Sequence, residues 1–427
     1  EIFGASASSA PPVAPSSPPS SLKAPPSTPS AALPAGPVPD AWPAVFSLAL
    51  GAFASVTAEF LPVGLLPRIA ASFGITEGTA GLMMTVPGIL AALAGPGIML
   101  SAGRRDRRTI ILALSVILLV ACILSAVATD YRVMLLGRAL VGLALGAFWS
   151  MGLAVAVRLV RQETSSKAAA TVFAGVTAAM ILGVPLGTFV AGLLGWRGAF
   201  AVSAGIAAVA LLAQIFLLPK VPASGGLRFS ALIDLVAHAP FRRAMAMIAL
   251  VFAAHFGAYT YVAPVLERAG VNAAEITLIL IGYGATGFVS NFVASHFLGR
   301  TVKGSLLAAK LLLFVPLAAM PLLMAQPRAE IALVLVWGMA WGALPLALNT
   351  WTREASKGAG EAMAGMFTFT TQVAIAVGSG VGGLIVDHQG VEATFWVAAA
   401  AVLASCALLW SSSAQGSPQA TCADVCH

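Results

Sequence analysis

Between Pro43 and Trp410 the chain is a succession of about twelve apolar segments, each close to twenty residues long and separated by short polar punctuation. Bilayer hydrocarbon about 30 Å thick takes roughly 20 helical residues to cross, so this spacing constrains the fold more than any single motif. With 59% hydrophobic and 9% charged residues, the chain lacks the polar surface that a soluble globule of its length needs. The short alternating strands of a closed barrel are missing. That leaves helices as the structure that can pair every backbone group within lipid. Spans are expected at roughly 44–66, 79–101, 109–128, 132–157, 168–194, 198–219, 243–266, 274–298, 304–325, 329–352, 360–386 and 391–411.

The second half repeats the punctuation of the first. GVPLGTFVAGLLGWRGAF (183–200) aligns with GSGVGGLIVDHQGVEATF (378–395) at one offset of 195 residues, placing Gly183, Gly187, Gly195 and Phe200 on Gly378, Gly382, Gly390 and Phe395. A looser match pairs Pro67 with Pro264. Two copies of a six-segment unit are the layout of a transporter whose binding site lies between the copies. The expected architecture is an all-α polytopic membrane protein of twelve transmembrane helices in two pseudo-symmetric six-helix halves. Its parts are a Pro/Ser-rich tail (1–42) too poor in core-forming residues to order, halves at 43–219 and 243–411, a central loop (220–242), and a disordered C-terminal tail (412–427).

The net charge of +7 is explained by membrane topology rather than by a nucleic-acid partner. With a cytoplasmic N-terminus, the inner segments hold 16 Lys and Arg and the outer loops five. That asymmetry puts both termini inside. The four cysteines form no framework: Cys122 and Cys406 fall within spans, and the tail pair Cys422 and Cys426 with His427 is one ligand short of a zinc site. No metal or cofactor is expected.

Glu59, in SVTAEFLPVG, is the acidic residue lying well inside a span. Removing a carboxyl from water disfavours its charged form, so such a group can load and release a proton. The bland alternative is a structural carboxyl held by a neighbouring helix. Arg138, in LLGRALVG, lies about two turns into the fourth span, where a guanidinium must pair or snorkel. If the stripe of Ala52, Ser55 and Glu59 and that of Arg138, Gly142, Leu145 and Trp149 face one cavity, Arg138 can hold Glu59 ionised until a proton or substrate displaces it.

In the fifth span, Gly175, Ala179, Gly183, Gly187, Ala191 and Gly195 recur every four residues with Pro185 among them, a surface for close helix packing with a bend. The inner loop AGRRDRR brings Arg104, Asp106, Arg107 and Arg108 together, as a conformational latch or as a plain topogenic loop in which Asp106 pairs with its arginines or caps a helix. His255 and Tyr259, one turn apart, with Asn349, Trp351, Thr368 and Gln372, suggest a cavity wall of mixed aromatic and amide character. Taken singly, each is as well read as an interhelical hydrogen-bonder or an interfacial aromatic. Lys310, near an inner helix end, is expected to snorkel.

These features resemble the drug:proton antiporter group of the major facilitator superfamily over roughly 43–411. The likeness rests on AEFLPVGLLPRIAASFGIT (58–76), LLGRALVGLALG (135–146), LGVPLGTFVAGLLGWR (182–197) and the basic inner loop. That loop departs from the family form G-x-L-a-D-r-x-G-r-k: aligned on its basic end, Gly103 stands in the place of the aspartate and Asp106 in that of the second glycine. DRRTIIL, GRALVGLALGAFWSM, TYVAPV and NTWTRE look similar to purine ribonucleoside efflux permeases. The resemblance implies proton-coupled export of a small organic solute across a bacterial cytoplasmic membrane by a monomer. Glu59 and Arg138 would handle proton coupling, Pro185 and Gly187 would belong to the antiporter motif, and aromatics such as Trp149 would suit a planar solute. Sugar or multidrug efflux, proton-independent uniport and a non-transporting sensor stay open. An enzyme does not fit, since HExxH and GxSxG are missing and the five histidines are scattered.

Overall fold

The computed structural model describes residues 40–101, 103, 105–222, 236–298, 301–356 and 360–411. Both expected tails (1–39 and 412–427), most of the central loop (223–235) and Arg104 lie outside the described residues.

The described residues form helices and no strand. Twelve are long: α1 (Trp42–Phe60), α2 (Leu82–Ser101), α3 (Arg107–Val127), α4 (Tyr131–Arg158), α5 (165–194), α6 (196–217), α7 (Ala239–Tyr259), α8 (Ala273–Leu298), α9 (Val302–Leu323), α10 (Pro327–Ala355), α11 (Gly360–Gln389) and α12 (Val391–Ser411). They make the chain a multi-pass membrane protein. Helices α5 and α6 form one continuous run broken only at Gly195, whose φ of 72° is open to glycine and strained for other residues. Helix starts are set by side chains that accept otherwise unpaired N–H groups. Asp106 caps α3 and Asp130 caps α4, while Asn272 and Glu275 cap α8 reciprocally.

The first and seventh spans, expected to run through to 66 and 266, are each interrupted. Helix α1 passes at Phe60 into a 3-10 turn (Leu61–Gly64) and then a short helix (Leu66–Phe73). Helix α7 stops at Tyr259 before a second helix (Val262–Arg268). Pro62 and Pro264 lack the N–H that would continue the ladder past these points.

The internal repeat holds in space, at an offset of 196 residues through α4 and 195 from α5 onward. Gly142 and Gly146 bring α4 against the backbone of Pro87 and Ala91 in α2, and Gly338 and Gly342 bring α10 against Tyr283 and Gly287 in α8 in the same way. Gly183 meets Thr57 as Gly378 meets Ala253, and Gly187 meets Leu61 as Gly382 meets Gly257. Within lipid there is little hydrophobic gain from bringing helices together, so close backbone approach at small residues supplies the contact. The halves themselves meet where α2 packs on α11 and α5 on α8.

Lys310 does not snorkel. It is fully buried, donating to the Ser405 carbonyl at 3.0 Å and the Met247 sulfur at 3.3 Å, because α7 and α12 cover its stem on the side away from the helix end. Gly146→Ala, which drives a methyl into the Ala91 backbone, should lower the thermal unfolding midpoint in detergent by the equivalent of about 1–3 kcal/mol. Gly205→Ala, which meets open space on an exposed helix face, should not lower it and should raise it by the equivalent of up to about 1 kcal/mol.

Candidate functional site

Two prolines and one arginine build the centre of the site. Pro62 has no N–H for the carbonyl of Ala58, four residues back, and Pro87 has none for that of Met83. Arg138 answers both: Nη1 donates to the Ala58 carbonyl at 2.6 Å and Nε to the Met83 carbonyl at 2.9 Å. Its Nη2 donates to the backbone carbonyl of Glu59 at 2.6 Å, where α1 gives way to the 3-10 turn. The guanidinium is 0% exposed, so it neither snorkels nor bonds to the Glu59 carboxylate as expected. The negative end of α1 and the two unpaired carbonyls accommodate its charge instead.

The Glu59 carboxyl has one hydrogen-bond partner among the described residues. It is 4% exposed, and its Oε1 accepts from Gln372 Nε2 of α11, across the seam, at 3.4 Å. That distance is at the long end of hydrogen bonding, so the contact is weak. Glu59 therefore faces the other half of the protein rather than lipid. The neighbouring Phe60 also crosses the seam, stacking on Phe256 of α7 at 5.4 Å and 11°. These two phenylalanines are equivalents in the repeat, so their contact marks the pseudo-twofold axis. On the same offset, the equivalent of Glu59 is His255.

His255 and Tyr259 belong to a dense aromatic block. The His255 ring stacks on Trp341 at 3.4 Å and 3° and on Tyr259 at 5.1 Å and 18°. Tyr259 stacks on Tyr283, and Trp337 meets His255, Tyr259 and Tyr283 edge-on. Two of the expected wall residues lie elsewhere. Trp149 is about 16 Å along α4 from Arg138, partly exposed and tilted against Phe173; Asn349 is about 12 Å along α10 from Trp341. Both sit toward the basic-loop ends of their helices.

The basic loop makes hydrogen bonds within one half. Asp106 Oδ1 accepts from the Arg108 and Val221 N–H groups, Arg107 N donates to the Val221 carbonyl, and Arg108 Nη2 donates to the Ile215 carbonyl. The loop thus ties α3 to the end of α6; Arg104 lies outside the described residues. Pro185 leaves the Ile181 carbonyl without its helical donor at the place where Gly284 of α8 comes against it, and Gly183 and Gly187 seat α5 on α1.

Polar contacts across the seam gather toward the face opposite the basic loops. Arg268 pairs with Glu77 at 2.9 Å, and Asp387 accepts from Thr76 Oγ1 at 2.7 Å and Gly78 N at 2.9 Å. Thr85 meets Ser379 at 3.2 Å, and Thr277 donates to Thr188 at 2.9 Å. Tyr261 reaches into the space left by Gly81 and Gly383 and donates to the Ser379 carbonyl. Toward the basic face, by contrast, α8 is exposed at every position from Asn291 to Phe297 except Ala294, all round the helix. The seam is shut at one face and splayed at the other.

Sequence reasoning missed several of these groups. Trp337, Trp341, Tyr283 and Asp387 were not singled out: three are aromatics within apolar spans and the fourth is an acid near a span end. Glu330, fully buried in the first turn of α10 with neither carboxylate oxygen hydrogen-bonded, was concealed by its place at a span boundary. The prolines four residues after Ala58 and Met83 were the available signal for the partners of Arg138.

A two-repeat membrane bundle with a titratable seam is the form of a secondary transporter, not of an enzyme. The profile of the Major Facilitator Superfamily matches residues 48–378, and the chain belongs to that family. It is 32% identical over 350 residues to the purine ribonucleoside efflux pump NepI of Salmonella typhimurium, covering 82% of this chain and 88% of the relative. It is 35% identical over 367 residues to the transcription regulatory protein OpdE of Pseudomonas aeruginosa, covering 85% and 91%. Among solved structures, a point mutant of the nucleoside transporter NupG matches with a TM-score of 0.69 at 13% identity, over 86% of this chain and 99% of that one. A bacterial homologue of the human lysosomal transporter Spinster, inward-facing and unoccupied, gives 0.69 at 16%, over 88% and 96%.

Arg138→Ala should destabilise the protein by about 3 kcal/mol or more, since it strands at least two buried carbonyls. Pro87→Ala, which returns a donor to Met83, should recover part of that loss in a double-mutant cycle of unfolding midpoints; additive effects would contradict the assignment. Asp387→Ala removes two charge-assisted bonds and should favour separation at the far face about tenfold. Spin labels at Ser72 and Ala274 should then show a longer-distance population that wild-type protein lacks.

Proposed function

We propose that the chain is a proton-coupled antiporter that exports a small planar organic solute of the purine nucleoside class by alternating access. In this reading the basic face is cytoplasmic, as are both termini, and the membrane is the bacterial cytoplasmic one. The positive-inside distribution supports that orientation, and the splayed seam then opens inward. The observation that carries the proposal is the Glu59 carboxyl, buried at the seam and held across it by one long hydrogen bond from Gln372. A carboxyl so placed links its protonation to the contact between the halves, because gaining a proton changes what it can accept from the other side.

Arg138 positions this group by fixing the end of α1. Gln372, His255 and Tyr259 supply the solute's wall, with Trp149 and Asn349 along its inward approach. Asp106, Arg107 and Arg108, with Arg104, set the basic loop, and Gly183, Pro185 and Gly187 set the α5 seam. The protein named a purine ribonucleoside efflux pump supports the solute class and the direction.

The name of the Pseudomonas relative supports a second reading, a membrane sensor that binds solute without moving it. Purified protein in proteoliposomes separates the two. Export by antiport predicts that inosine added to one side drives proton flux toward that side as the solute leaves it, and a sensor predicts saturable binding alone. Glu59→Gln should cut solute-driven proton flux about tenfold or more while solute exchange continues. A Glu59→Gln protein that still concentrates solute against its gradient would refute proton coupling through this carboxyl.

A further inference from the structure

We infer that His255 is a specificity-determining residue. Trp337 locks its ring as the Nε2–H tautomer, which makes it a fixed, uncharged donor for an acceptor on a planar solute. The ligand half of this inference rests on the nucleoside reading above; the tautomer half does not.

An indole N–H can only donate. Trp337 Nε1 donates to His255 Nδ1 at 3.0 Å, so Nδ1 presents its lone pair and the single proton of the neutral ring is on Nε2. The alternatives are closed off by packing. A flipped ring would set the indole N–H against a C–H, and a doubly protonated ring would set N–H against N–H. Trp337 is 0% exposed, so water cannot replace the lost bond. The 3.4 Å stack on Trp341 and the stack on Tyr259 hold the plane of the ring.

The Nε2–H makes no hydrogen bond to the described residues, although His255 is only 1% exposed. Nε2 is not one of the fully sealed, partnerless side-chain atoms of the described residues, so it keeps an opening through which water or a ligand can accept its proton. Its place is informative. Phe256, the next residue, stacks on Phe60 of the other half, so His255 stands beside the pseudo-twofold axis opposite its repeat equivalent, Glu59. A carboxyl held across the seam by Gln372 and a fixed neutral donor held by Trp337 thus occupy equivalent positions in the two halves.

The aromatic block suits the face of a flat ring, and Nε2–H suits a ring nitrogen or carbonyl on its edge. A cationic amphiphile offers donors where an acceptor is needed and would leave Nε2–H unpaired. Sites built around a buried hydrogen bond reject partners that cannot complete it.

Transport of inosine, 7-deazainosine and purine riboside in proteoliposomes tests the ligand. The second replaces the N7 acceptor by C–H, and the third lacks O6. Wild-type protein should prefer inosine over at least one of the others by about tenfold in kcat/KM. His255→Phe, which keeps a flat ring, should bring that ratio close to one. His255→Gln, which returns a donor, should restore part of it and guards against a folding defect in the Phe variant. A preference unchanged in His255→Phe overturns the assignment. Nitrogen-15 spectra of histidine-labelled protein, with the His255 signals found by difference from His255→Gln, test the tautomer. They should show a proton on Nε2 and a bare Nδ1, and Trp337→Phe should mix the two forms. Wild-type protein that moves none of the three nucleosides would sink the nucleoside reading and the ligand assigned to His255. A protonated Nδ1 would overturn the tautomer lock even in a protein that transports all three.

Discussion

Hydrocarbon offers no water to a carbonyl that has lost its helical donor, and this fold places two such carbonyls beside its central seam. Pro62 and Pro87 each subtract an N–H, and the guanidinium of Arg138 replaces both while also holding the end of α1. The arginine is therefore the node at which α1, α2 and α4 meet. Because its donors are directed at backbone, it does not pin the Glu59 carboxyl in an ion pair. The broken end of α1 is held rigid while the acid beside it keeps one weak, replaceable bond. Structural repair and a loosely held carboxyl coexist within one turn of helix because different atoms serve them.

The two halves share their helix contacts but not their chemistry. Glycines at equivalent positions bring equivalent helices together, so backbone positions on either side of the axis correspond closely. On that common frame the first half carries a carboxyl at position 59 and the second an imidazole at 255. The surroundings differ to match. Glu59 lies beside a helix break held by arginine, and His255 lies inside stacked aromatic rings. The repeat thus supplies the geometry of a central site, and substitution within the repeat supplies its polarity.

Much of this was legible in the chain. Span number, the repeat and the two charged residues deep in spans follow from composition, spacing and the cost of burying charge. The partners of Arg138 were half-legible: the prolines four residues beyond Ala58 and Met83 announce orphaned carbonyls, but which donor reaches them depends on how three helices lie together. Trp337 and Trp341 were illegible as site residues, because an aromatic in an apolar span reads as core until its neighbour proves to be a histidine. Lys310 misled for a related reason. Distance to the helix end favours snorkelling, and only the packing of α7 and α12 around it forbids that.

How the seam closes bears on how easily it opens. Apolar helix faces gain little from each other in lipid, so closure at the far face depends on a small polar set: Arg268 with Glu77, Asp387 with Thr76 and Gly78, and hydroxyl pairs further in. The ion pair is partly exposed, with its side chains 44% and 27% accessible, and pairs in that setting are worth about 0–1 kcal/mol. Neutral hydrogen bonds add about 1 kcal/mol each and those to the Asp387 carboxylate about 1.5–3. A lock of that size holds one arrangement without trapping it. Reversing a two-state equilibrium from 1:99 to 99:1 takes about 5.5 kcal/mol of differential binding, which is of the same order as this lock. The same few contacts spread over buried apolar surface in water would be harder to undo, so placing the seam in lipid and its bonds at a wet rim is what allows the halves to part.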